Sequence, residues 1–288
     1  MTQPRLSFEF FPPNSLEASF RLWDAVHELA PLTPEFVSVT YGAGGTTRQL
    51  THEAVQTIGS HTGLNVAAHL TCVDATREDT LAIAQQYAEA GVTQIVALRG
   101  DPPKGAEKFQ PHPEGFRDTP ELISALAEMN KFHIRVGAYP DPHPEALSPG
   151  ADVDWLKRKI DAGANSAITQ FFFEADTFFR FRDACEKAGI DAPIIPGILP
   201  IEDWNKMQRF AGRCGAHVPS WLADAFEKAI RDDRHDLLAT AVCTELCSKL
   251  IDGGVEDLHF YTLNKPHLTR EVAHALGCVP QVQLRDVA

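Results

Sequence analysis

The chain holds 288 residues, 44% apolar and 23% charged, and 26 Lys and Arg against 39 Asp and Glu leave a formal net charge of −13. These proportions exclude a disordered, collagen-like or low-complexity chain, and the negative balance repels nucleic-acid phosphates and anionic lipid. No apolar run nears the roughly 18 residues of a membrane span, and the start Met1-Thr2-Gln3-Pro4-Arg5-Leu6 lacks a secretory signal, so we expect a cytoplasmic protein without nucleic-acid or membrane partners.

The first β-rich run, 6–11, precedes an amphipathic stretch, 15–29, that opens on Ser15 as a cap with Glu17 in its first turn. Runs at 36–40 and 66–71 follow. Over 76–90, Thr76 and Asp79 resemble a capping box, and Gly91 ends the helix. After runs at 94–98 and 134–139, residues 152–162 carry Val153, Leu156 and Ile160 on one face and stop at Gly163. The run 167–172 leads to a helix over 176–188 that stops at Gly189. Between the seventh run, 194–199, and the eighth, 257–262, helices are expected near 201–212, 221–231 and 236–251.

Each run is apolar almost throughout, the mark of parallel strands covered on both faces. Eight such runs, mostly about 30 residues apart and interleaved with helices, predict an α/β fold, a (β/α)8 TIM barrel. One domain, 1–288, is expected, with the helices between the seventh and eighth strands as extra cover. Gly42-Ala43-Gly44-Gly45 lacks the third glycine of a dinucleotide fingerprint, and no Walker A motif occurs. The six cysteines (72, 185, 214, 243, 247 and 278) include no Cys-x-x-Cys, so reduced, mostly buried thiols and no metal site are expected.

Barrel chemistry gathers where the strands end. Those ends carry Glu9, Thr40-Tyr41, His69, Arg99-Gly100-Asp101, Tyr139, Gln170 and Thr262-Leu263-Asn264. Glu9 is either a solvated edge carboxylate or, buried among Phe8, Phe10 and Phe11, an acid whose pKa is raised toward neutrality as a general acid requires. His69 and His143 read equally as structural histidines, and Asp101 as a turn former. Phe171-Phe172-Phe173 reads as core, and Gln170 before it has the donor and acceptor to recognise a heterocycle edge. No nucleophile–base pair is visible, and these residues name no substrate.

Ordered motifs carry a resemblance over nearly the whole chain. They are Phe8-Glu9-Phe10-Phe11-Pro12-Pro13, Phe36-Val37-Ser38-Val39-Thr40-Tyr41-Gly42-Ala43, Ala68-His69-Leu70-Thr71-Cys72 and Leu98-Arg99-Gly100-Asp101. His143-Pro144-Glu145-Ala146, Ile168-Thr169-Gln170-Phe171-Phe172-Phe173 and His259-Phe260-Tyr261-Thr262-Leu263-Asn264 continue the set. Together they resemble bacterial methylenetetrahydrofolate reductases that consist of the catalytic domain alone. The resemblance implies a (β/α)8 flavoprotein that reduces 5,10-methylenetetrahydrofolate to 5-methyltetrahydrofolate, with NADH or NADPH as electron donor and FAD as carrier, in one-carbon metabolism and methionine supply. It implies Glu9 as general acid, and Asp101 near flavin and pterin as a charge that favours a cationic iminium. It implies FAD contacts from Tyr41, Ala43, His69, Arg99, Gly100, Asp101, Thr119, Tyr139, His143, Ala146, Asp152, Arg158 and Lys159, the last two at the pyrophosphate. Thr40, Asp101, Gln170, Phe210 and Lys265 are implied at the folate or nicotinamide.

Three positions depart from the family pattern. Trp155 stands where members often have Asn beside FAD, Lys265 where many have Arg, and Lys206 where some have Gln. Lysine at 265 keeps a charge but loses the planar fork. The resemblance also implies a homo-oligomer, and the short stretch after Asn264 leaves no room for an S-adenosylmethionine regulatory domain. The alternatives are a flavin-independent folate reductase and a folate- or flavin-binding barrel without catalysis. The retained His69, Tyr139, Arg158 and Lys159 count against the first and Glu9 against the second.

Overall fold

The computed structural model describes residues 3–41, 48–101 and 109–280. Its strands are β1 (Arg5–Phe10), β2 (Phe36–Val39), β3 (Val66–Thr71), β4 (Gln94–Leu98), β5 (His133–Ala138), β6 (Ser166–Thr169), β7 (Ile194–Ile195), β8 (Gly197–Ile198) and β9 (Asp257–Tyr261). All pair in parallel in the order β7-β6-β5-β4-β3-β2-β1-β9-β8. β7 and β8 are one stave broken at Pro196, which fixes φ and has no N–H to donate. The first piece pairs with β6 and the second with β9, so the TIM-type ring closes through it.

The helices are α1 (Leu16–Leu29), α2 (Arg48–Thr62), α3 (Arg77–Glu89), α4 (Thr119–Glu128), α5 (Ala151–Asp161), α6 (Ala175–Lys187), α7 (Trp204–Cys214), α8 (Ser220–Arg231), α9 (His235–Asp252) and α10 (Pro266–Ala275). The expected caps form. Ser15 accepts from Ala18 N–H, and Thr76 Oγ1 accepts from Asp79 N–H while donating to the Asp79 carboxylate. The patterning did not single out α2, which is rich in Thr, Gln and His, or α4 and α10, each with a proline in its first turn.

Strand alternation divides the side chains. Phe8, Phe10, Val37, Val39, Ala68, Leu70, Ile95 and Ala97 join the core beneath the helices. Phe36, Ala67, Val96, Ile168 and Ile195 make a small separate cluster inside the ring. Below it Arg135 closes the barrel floor, its guanidinium 3.8 Å from the Phe36 ring centre and Nη1 donating to Gln94 Oε1 at 2.7 Å. A third cluster lies under α7, α8 and α9, where Trp204 and Phe226 stack at 4.8 Å. The sixth stave is shorter than the run 167–172. After Thr169 the chain leaves the ladder, Phe171 and Phe173 turn into the third cluster and Phe172 into the main core. All six cysteines are free.

Candidate active site

Because successive strand residues alternate faces, Ser7 and Glu9 of β1 point to the interior that Phe8 and Phe10 avoid. β9 lies beside β1 with Ser7 opposite His259 and Glu9 opposite Tyr261. His69, two residues beyond inward Ala67, completes the group. Its Nε2 stands 3.3 Å from Glu9 Oε2, and His259 Nε2 stands 3.9 Å away. His259 Nδ1 meets Ser7 Oγ at 2.8 Å, and its ring stacks on Phe36.

The electrostatics correct the expectation of a raised Glu9 pKa. Burial pushes this carboxyl up, but the neighbouring His259 and His69 imidazoles outweigh it and hold the group at about 2. The Phe side chains beside Glu9 in sequence face the opposite side of the sheet, so its real neighbours are imidazoles. Burial lowers the His259 pKa, favouring the neutral ring, and pushes the Tyr261 phenol far up. Tyr261 donates to Thr169 O at 2.6 Å.

Other expected residues stand on the same rim. Thr40 N–H donates to Phe10 O at 2.9 Å, tying the exit of β2 to that of β1, and Tyr41 follows it. Tyr139, one residue past β5, meets the His143 ring edge-on at 4.6 Å, and burial raises its phenol to about 12. Gln170 N–H donates to Ala138 O, while its side-chain carbonyl accepts from Phe171 N–H at 3.1 Å. Phe210 of α7 packs on Phe171 at 5.2 Å. Lys265, in the turn after β9, has its ammonium 3.9 Å from Glu202 Oε2.

Arg99, Gly100 and Asp101 leave the end of β4. Arg99 pairs with Glu145 at 2.6 Å and lies over the Phe109 ring. Gly100 has φ +88°, and a Cβ there would come within 2.5 Å of Val73 Cγ1, so only glycine fits the turn. Asp101 is exposed. The loop 139–150 is braced by His143 N–H on Asp152 and Ala146 N–H on His143 O. Thr119 is buried at the start of α4, next to its cap Asp118. Arg158 bonds Asp118 at 3.2 Å with its guanidinium 4.3 Å from the Trp155 ring centre. Lys159 is buried and donates to Gly137 O at 2.6 Å, and burial pulls its ammonium down to about 8. Ala43 lies outside the described residues.

Sequence reasoning passed over His259, Ser7 and Tyr261. The available signal was parity, since His259 and Tyr261 alternate with Leu258 and Phe260 as Ser7 and Glu9 do with Phe8 and Phe10. Among the described residues no group of three or more His, Cys, Asp or Glu is placed to hold a metal ion. No helix among them is long and apolar enough to cross a membrane.

A family model described as methylenetetrahydrofolate reductase matches residues 1–277. The 5,10-methylenetetrahydrofolate reductase of Pectobacterium carotovorum subsp. carotovorum is 45% identical over 278 residues, 96% of this chain and 91% of that protein. The enzyme of that name from Escherichia coli (strain K12) is 44% identical over 279 residues, 96% of this chain and 92% of its own. Among solved structures, a Clostridium thermocellum protein described as binding two copies of 5-methyl-5,6,7,8-tetrahydrofolic acid has a TM-score of 0.61 at 13% identity. The match covers 96% of this chain and 95% of that one, a likeness of fold.

Proposed function

Since the chain belongs to the methylenetetrahydrofolate reductase family, we propose that it reduces 5,10-methylenetetrahydrofolate to 5-methyltetrahydrofolate, taking electrons from NADH or NADPH through FAD. The observation that carries this reading is the Glu9 carboxylate 3.3 Å from His69 on the rim where Thr40, Tyr139 and Gln170 end their strands. The expectation of a cytoplasmic protein rests on the sequence reading of its start and apolar runs, and that of a homo-oligomer on the resemblance.

The donor set suits FAD. Arg99 and the largely exposed Arg158 offer guanidinium forks to a diphosphate, and Lys159 has donors beyond the one used on Gly137 O. Gly100 lets backbone approach closely, while Tyr139 and His143 supply ring edges. When bound, FAD supplies hydride transfer between two substrates that need never meet.

The protein's own part concerns charge and a proton. Opening the folate methylene bridge leaves a cation and a departing nitrogen that needs a proton. Asp101 stabilises the cation. The Glu9 carboxylate and the His259 ring bias each other's protonation. A flat ligand over the mouth removes the remaining 16% exposure of the Glu9 side chain. Excluding that water penalises the carboxylate and favours uptake of a proton from solvent as the ligand binds. Glu9 then delivers this proton to the departing nitrogen. Gln170, by turning its amide off Phe171 N–H, hydrogen-bonds the edge of the pterin or the nicotinamide.

The test is 5,10-methylenetetrahydrofolate-dependent oxidation of NADH or NADPH by purified protein supplied with FAD. Absence of turnover with flavin bound rejects the reading, and turnover by colourless protein transfers it to a flavin-independent enzyme. Glu9→Gln should abolish folate reduction while keeping flavin content and nicotinamide-driven flavin bleaching.

A further inference from the structure

The exit of β1 is held by an unusual turn at the exit of β9. After Phe11 come Pro12 and Pro13, so Phe11 carries the last main-chain N–H available to fix the strand end. One side chain takes both of its polar groups: Phe11 N–H donates to Asn264 Oδ1 at 2.9 Å, and Asn264 Nδ2 donates to Phe11 O at 3.0 Å. The Glu9 carbonyl accepts twice from Thr262, at 2.6 Å from Oγ1 and 3.3 Å from N–H. The amide of Asn264 therefore continues the β1–β9 ladder past the point where β9 turns away.

That reach depends on backbone strain. Lys265 N–H closes a turn on Thr262 O at 2.8 Å, and its central residues, Leu263 and Asn264, have φ of 52° and 54°. Asparagine tolerates the left-handed region, but leucine does so at a cost of about 1 kcal/mol. Such strain persists where the surroundings over-determine it. Here Thr262 Oγ1 also accepts from Asn264 N–H at 3.2 Å, so one buried hydroxyl joins the turn to Glu9. On the other flank Thr40 holds Phe10.

We propose that Thr262 and Asn264 are positioning residues: they clasp the end of β1 and so aim the Glu9 carboxylate at His69 and at the folate. This rests on the reductase reading for its catalytic consequence, but the aim of Glu9 is a property of the free protein.

The test follows the two half-reactions separately in FAD-loaded Thr262→Val, Thr262→Ser and Asn264→Ala, by bleaching of the flavin band with NADH and its return with methylenetetrahydrofolate. Thr262→Val and Asn264→Ala should slow the folate-driven step by about 10- to 100-fold, the scale of a small misplacement of a reacting group. The NADH-driven step should stay within about twofold, and Thr262→Ser, which keeps the hydroxyl, should restore the folate-driven rate. In flavin-free protein, the acid-dependent stability difference between Glu9 and Glu9→Gln should shrink by roughly half in an Asn264→Ala background. Equal slowing of both half-reactions, failure of Thr262→Ser to restore the rate, or an unchanged acid difference would overturn the clasp. A wild-type protein with no folate-driven step would reject the reductase reading instead, and the flavin-free measurement would still decide the clasp.

Discussion

Replacing Glu9 with glutamine keeps the shape of a nearly buried side chain and removes a charge that the fold holds between imidazoles. The folded carboxyl titrates at about 2, below its ordinary 4.5. At roughly 1.4 kcal/mol per pH unit, folding favours its ionised form by about 3 kcal/mol. The unfolded chain takes up this proton first as pH falls. The stabilisation is therefore complete above about pH 5 and disappears toward pH 2, with about 2 kcal/mol already lost at pH 3. The assay is urea unfolding of flavin-free wild type and Glu9→Gln at several values from pH 7 to pH 3. The stability difference should move by about 2 kcal/mol toward the glutamine variant on acidification. A difference independent of pH, or one that moves in favour of the wild type, would refute the placement of the carboxylate between His69 and His259.

Lys159 predicts the opposite direction. Its buried ammonium titrates at about 8 against an ordinary 10.5, so the folded state releases the proton first, and wild type should gain stability over Lys159→Met as pH rises from 8 to 10.5. The gain, read by urea unfolding, is at most about 3 kcal/mol, and a flat difference excludes a desolvated amine. Gly197→Ala places a Cβ 2.1 Å from Thr169 O and 2.6 Å from Tyr261 Cε2. Backbone must move, at about 3 kcal/mol or more, and a melting temperature within a degree or two of wild type would contradict that packing. Phe226→Ala deletes the ring stacked on Trp204 at 4.8 Å and should cost about 3–5 kcal/mol in thermal or urea unfolding. A near-neutral result would mean that the cluster under α7, α8 and α9 is not a packed core.

The barrel was legible because strand and helix punctuation are local. Ser15 and Thr76 cap where the patterning put them, and the eight apolar runs all supply strands. The break at Pro196 was visible as a proline, but a single residue does not reveal that the flanking pieces pair with different neighbours. The early end of β6 escaped notice because Phe171 and Phe173 look like strand residues until a second hydrophobic cluster exists to receive them. The position of Glu9, His69, Tyr139 and Gln170 on one rim was legible because strand ends can be read directly. The sign of the Glu9 pKa was not, because sequence neighbours occupy the opposite face of a strand, and the imidazoles that set the sign come from β3 and β9.

One consequence of placing β9 beside β1 concerns biosynthesis. Ser7 and His259, 252 residues apart in the chain, come into register only when the final stave docks, one of the most distant contacts this polypeptide makes. A nascent chain on the ribosome thus carries Glu9 from the start but has no second histidine to hold it until almost every residue has emerged. The setting of that carboxylate is therefore assembled from the two ends of the barrel's chain order and is absent from any copy that lacks β9.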